Sequence, residues 1–89
     1  MKKIKLSGKE IAVVRAIDFA TGTPGSEIFD RTRIEIEELT GIINGLMDVG
    51  FVECTPHLEN LTEESLLKVT VEVNPGYAHE LKAALILHL

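Results

Sequence analysis

The chain has 89 residues, 45% of them hydrophobic, a formal net charge of −5 and a single cysteine, Cys54. That length fits one domain, spanning 1–89, with a small core that buries roughly 60 to 65% of the surface its unfolded chain would expose; the lone thiol excludes an internal disulfide and suits a reducing, cytoplasmic setting. No stretch approaches the ~20 apolar residues of a membrane span, and Lys9, Glu10 and Arg15 interrupt any signal-like apolar run near the start, so a soluble protein without membrane association is expected.

In chain order, Ser7-Gly8-Lys9-Glu10 has the form of a capping box and predicts a first helix running through Ile11, Val13, Val14, Ala16 and Ile17 to about Phe19 or Ala20, closed by Thr21-Gly22. Thr23-Pro24 then predicts a second, short helix, with threonine as N-cap, proline at the first helical position and Ile28 and Phe29 in the core. The only strand expected in this part of the chain is a brief one at Lys3 to Leu6.

The next segment organises the molecule. Ile36, Leu39, Ile43, Leu46 and Met47 recur at helical spacing on one side, and Glu37, Glu38, Gly41, Asn44, Gly45 and Asp48 gather on the other. Gly50 suits a left-handed helix end, after which Phe51-Val52-Glu53-Cys54 turns to strand chemistry. Leu67 to Val73 alternates apolar and polar residues as a half-buried strand does, and pairs naturally with Phe51 to Thr55. The connection between them, Pro56 to Leu66, is long for a hairpin; Leu58, Leu61 and Leu66 are expected to fold back or Thr62 to Ser65 to form a helical turn. Asn74-Pro75 starts a last helix.

The order helix, helix, helix, strand, loop, strand, helix, with INGLMDVGFVEC passing from the third helix into a strand, resembles the winged helix-turn-helix superfamily, including MarR- and ArsR-type regulators. The resemblance implies an α+β fold: a three-helix core, a two- to three-stranded antiparallel wing and a C-terminal helix. It also implies that the third helix and wing face the partner; residues 71–89 are expected to take in the end of the last strand and, from the apolar character of the run, a dimerisation helix.

In this chain the implied partner face is acidic. From Glu35 to Leu67 there are carboxylates at Glu35, Glu37, Glu38, Asp48, Glu53, Glu59, Glu63 and Glu64, and no lysine or arginine. By register the third helix presents Glu35, Glu37, Glu38, Thr40, Gly41, Asn44, Gly45 and Asp48, and the wing presents Glu59, Asn60, Glu63 and Glu64. Such a face lacks the cations that release counterions from DNA. The expected function is therefore a non-enzymatic regulatory or assembly module that binds a basic protein surface. The alternative is a DNA-binding regulator using Arg31, Arg33 and the arm Lys2, Lys3 and Lys5. Two exposed glycines four apart, each costing about 1 kcal/mol relative to alanine in a helix, mark either a close-approach surface or a face under no structural demand.

Cys54 and His57 are too few for a closed metal shell, and neither they nor any other group forms a recognisable catalytic set, so neither cofactor nor catalysis is expected. Tyr77, Leu81, Ala84, Leu85 and Leu89 predict a homodimer interface on the last helix, widened by Ile86 and Leu87; the other arrangement is that this helix covers the sheet and first helix of its own chain.

Overall fold

A computed structural model describes residues 4–86. Within it the fold is α+β: five α-helices and one three-stranded antiparallel sheet in the order β1-β3-β2. No helix among the described residues is long and apolar enough to cross a membrane.

The first helix, α1 (Gly8–Arg15), begins on the expected capping box: the Ser7 hydroxyl accepts from the Glu10 amide, and the Glu10 carboxylate accepts from the Ser7 amide at 2.7 Å. It stops several residues earlier than the sequence suggests. Asp18 is the reason, because its carboxylate accepts from the amides of Ala20 and Thr21, offering the backbone a turn in place of another helical round.

The expectation that Thr23 caps the second helix is corrected. Its hydroxyl is buried and accepts from the Asp18 amide at 2.8 Å, and Thr23–Pro24 forms a short strand, β1, opposite Val71 and Thr70. Proline fits because the amide of the next residue, Gly25, donates to the Val69 carbonyl, so the ring nitrogen of Pro24 faces away from the ladder. This is the third strand; Ile4 to Leu6 are not in a strand, and Lys3 lies outside the described residues.

Helix α2 (Gly25–Thr32) starts on a glycine because any β-carbon there would collide with the carbonyl of Leu66. It carries Ile28 into the core and ends on Arg33, whose backbone is left-handed (φ 58°). Helix α3 (Ile36–Asp48) buries Leu39, Ile43 and Leu46. It closes on Gly50 (φ 86°), with the Phe51 amide on the Leu46 carbonyl and the Gly50 amide on the Met47 carbonyl, the double bond pattern that a left-handed glycine permits.

Strand β2 (Val52–Thr55) pairs with β3 (Thr70–Val73) in the register Val52↔Val73 to Thr55↔Thr70. Between them, Leu61 and Leu66 fold back into the core, Leu58 packs against it, and Thr62 caps the single turn α4 (Glu63–Leu66). The last strand is shorter than the alternation of residues 67–73 suggests: Leu67 ends α4 and is exposed, while Val69, Val71 and Val73 are buried. Asn74 caps a 3-10 turn, Pro75–Tyr77, that leads into α5 (Ala78–Ile86). Leu81 and Ala84 are buried in the chain's own core, and α5 lies against α1, where Arg15 donates to the Leu85 carbonyl at 3.0 Å.

Candidate functional site

Thirteen residues of α3 hold the core with one side and leave the other to solvent. Of the expected partner-facing residues, Glu35, Glu37, Gly41, Gly45 and Asp48 are exposed. Glu37, Gly41, Gly45 and Asp48 are spaced i, i+4, i+8 and i+11, which places them in one row along the helix. A β-carbon built on either glycine meets nothing within 4 Å. The middle of the row is thus bare backbone, with a carboxylate at each end.

Two of the expected residues, Thr40 and Asn44, are corrected. Thr40 is buried and donates to the Ile36 carbonyl at 2.7 Å, because it lies one helical turn from that residue on the core side of the row. Asn44 is half-buried and serves as a clamp: its amide group donates to the Leu61 carbonyl (2.9 Å) and its oxygen accepts from the Leu61 amide (2.8 Å). It thereby ties the loop between β2 and β3 onto α3. Glu38 is exposed but ion-paired with Lys9 of α1 at 2.6 Å. That ion pair is half-exposed and contributes about 0 to 1 kcal/mol; it does take one carboxylate away from the face.

In the loop, Glu59, Asn60 and Glu63 are exposed, and Glu64 of α4 pairs at 3.2 Å with Lys68, the residue after the helix's cap. Among the described residues Glu35, Glu37, Asp48, Glu53, Glu59 and Glu63 have no cationic partner. The loop is bent back onto α3 by Asn44, Leu61 and Leu66.

The cations of the alternative reading are distributed differently. Arg31 pairs with Glu27 at 3.3 Å and donates to the Ala16 carbonyl at 3.1 Å, so it holds α2 against the end of α1. Arg33 and Lys5 are exposed; Lys2 and Lys3 lie outside the described residues. A shallow depression of about 490 Å³ beside Arg33 is lined by Phe29, Asp30, Ile34 and Glu35, so the arginine is flanked by acids even there.

A larger open cleft of about 670 Å³ lies between the end of α3 (Met47, Asp48), Gly50, all four residues of β2, the loop residues His57, Leu58 and Glu59, and Asn74. Sequence reasoning passed over this feature, since it depends on how the loop folds back. Cys54 borders it but is buried, its thiol against the carbonyls of Pro56 (3.4 Å) and Leu58 (3.7 Å), whereas His57 is exposed. Among the described residues no three or more His, Cys, Asp or Glu side chains are grouped to hold a metal ion.

The expected dimer row is divided. Leu81 and Ala84 are withdrawn from it because they fill the intrachain core. Tyr77, 39% exposed, and Ile86, 66% exposed, remain accessible, Leu85 is half-buried, and Leu89 lies outside the described residues. Tyr77 stands edge-on to Phe51, their rings 5.0 Å apart.

No family model, curated protein or solved structure matches this chain.

Proposed function

We propose that this chain is a winged-helix module that binds a basic protein surface through α3 and the loop between β2 and β3, without catalysing a reaction. The winged-helix reading is supported by the order α1, β1, α2, α3, β2, β3, by the pairing order β1-β3-β2, and by α3 running through a glycine turn directly into the hairpin.

The observation that carries the functional reading is the row Glu37, Gly41, Gly45, Asp48. Two helical glycines that no intrachain contact requires leave a smooth strip on which a partner backbone can lie close, and the carboxylates at its ends fix the sign of what approaches. Duplex DNA is the disfavoured occupant, because this face would bring uncompensated acids toward a polyanion and Arg31 is already engaged. The proposed assembly is a homodimer through Tyr77, Leu85 and Ile86, the apolar surface that α5 and the turn before it retain; light scattering checks it, with Leu85→Lys expected to give the monomer.

The test of the binding reading uses immobilised protein as bait against a lysate of its source, with Glu37→Lys/Asp48→Lys as the second bait. Basic proteins retained by the first and lost by the second are expected, and the retained protein should bind more weakly as salt rises. A titration with genomic DNA fragments runs beside it. Sequence-selective submicromolar DNA binding with a steep salt slope would transfer the assignment to a DNA-binding regulator.

A further inference from the structure

Asn44 is followed by Gly45, and the pair sits in the middle of α3. Of the three asparagines in the chain, Asn60 precedes the branched Leu61, and Asn74 precedes Pro75, whose nitrogen carries no hydrogen. Asn44 alone is followed by a residue that has a backbone N–H and no side chain to obstruct it. Such a nitrogen can attack the side-chain carbonyl carbon of the asparagine before it, closing a succinimide ring.

In the folded chain two features hold that reaction back. The helical pattern directs the Gly45 N–H toward the Gly41 carbonyl and away from the Asn44 side chain. The Asn44 side chain is itself fixed, because its NH2 group donates to the Leu61 carbonyl at 2.9 Å and its oxygen accepts from the Leu61 amide at 2.8 Å, and Leu61 is buried. The glycine itself is open to water: Gly45 is exposed, and a β-carbon there meets nothing within 4 Å. Attack therefore waits on a local opening that frees the helix backbone and the clamp together.

We infer that Asn44 is a site of spontaneous deamidation, and that the reaction releases the loop between β2 and β3 from α3. The Gly45 nitrogen bonds to the side-chain carbonyl carbon of Asn44, the bond from that carbon to the side-chain nitrogen breaks, and ammonia leaves with the proton that Gly45 gives up. Solvent water then opens the ring at either carbonyl and leaves aspartate or isoaspartate; nothing is oxidised or reduced. An aspartate at this position has only acceptor oxygens, so the Leu61 carbonyl loses its donor and faces a carboxylate. An isoaspartate also inserts a methylene into the backbone of α3. Either product adds a negative charge next to Gly45, so the exposed face becomes more acidic as the loop comes free. The step needs no partner, and stands whether or not the acidic face binds one.

The experiment incubates the full chain at mildly alkaline pH, folded and in guanidinium chloride, and follows the peptide carrying Asn44 by mass spectrometry for the exchange of NH2 for OH. In denaturant Asn44 should react faster than Asn60 or Asn74, and Gly45→Ala should slow it. In the folded chain it should react more slowly by roughly tenfold or more, for the two hydrogen bonds to Leu61 that must open, and in proportion to the open fraction of the Leu61 amide read by hydrogen exchange. Chains deamidated at Asn44 during the folded incubation, separated by charge, should exchange the Leu61 amide faster than unreacted chains, while the Val13 and Val14 amides of α1 stay protected; Asn44→Asp should do the same. Asn44 reacting no faster than Asn60 in denaturant, or as fast folded as denatured, overturns the guarded site. Deamidated chains that protect Leu61 as before, or that lose protection at Val13 and Val14 as well, overturn the release of the loop.

Discussion

At the start of α2 a glycine is wedged against the carbonyl of Leu66, whereas along α3 two glycines face open space. The same residue type answers to different constraints in the two regions. Around α1, β1 and α2 the polar groups are used within the chain: Arg31 holds Glu27 and the Ala16 carbonyl, Arg15 holds the end of α5, and Thr23 holds the Asp18 amide. On the outer side of α3 and in the cleft beside β2, most carboxylates have no cationic partner among the described residues, and the glycines fulfil no packing role. Packing accounts for the first region residue by residue. In the second it leaves residues unexplained, and those are where a partner is sought.

Mutation separates the two kinds of glycine most sharply. Gly25→Ala should cost on the order of 3 to 5 kcal/mol, since the new methyl overlaps backbone that cannot swing aside; a denaturant midpoint equal to that of the unaltered protein would show that α2 retreats from Leu66 easily, and the contrast would disappear. Next in size is Asn44→Ala, expected to cost about 2 kcal/mol for two lost hydrogen bonds to Leu61 of about 1 kcal/mol each. Faster amide exchange at Leu61 would locate the loss in the loop.

Gly41→Ala and Gly45→Ala should act in the opposite sense, each raising stability by about 1 kcal/mol because alanine is the better helix former and nothing obstructs its methyl. Both should also weaken retention of the basic partner. A gain in stability with unchanged retention would place the partner elsewhere on the face.

The smallest effect expected is at Asp18. The Ala20 and Thr21 amides, bonded to its carboxylate, hold its pKa below the ordinary aspartate value. A carboxylate depressed on folding contributes stability above its unfolded pKa and loses that contribution as pH falls through the folded one. The deficit of Asp18→Asn should therefore be visible at neutral pH and close as the pH falls below the ordinary aspartate range; a deficit that persists in acid would assign Asp18 a role independent of its charge.

Much of this architecture is legible in local chemistry. The Ser7 box, the Gly50 turn, the single turn capped by Thr62 and the Asn74 cap each rely on residues within a few positions of one another, and the buried side of α3 is written in its periodicity. The candidate site was legible only in part. Glu37, Gly41, Gly45 and Asp48 follow from helical spacing, but spacing alone also put Thr40 and Asn44 on that face. Whether a polar side chain is free or used depends on what crosses it, and Leu61 reaches Asn44 from 17 residues away.

The sequence by itself therefore determined the main helices, the caps at Ser7, Thr62 and Asn74, the two main strands and the sign of the exposed face, because each depends on neighbours in the chain or on a sum of charges. Tertiary structure alone decided that Thr23–Pro24 is a strand, that no β-carbon fits at Gly25, that Leu81 and Ala84 belong to the core, and that β2 borders an acidic cleft. The physical reason is common to all four. A two-residue strand has no period to read, and the occupancy of a backbone edge, a helix start or an apolar face is fixed by segments that arrive from 40 or more residues away in the case of β1 and β3, Thr23 meeting Val71.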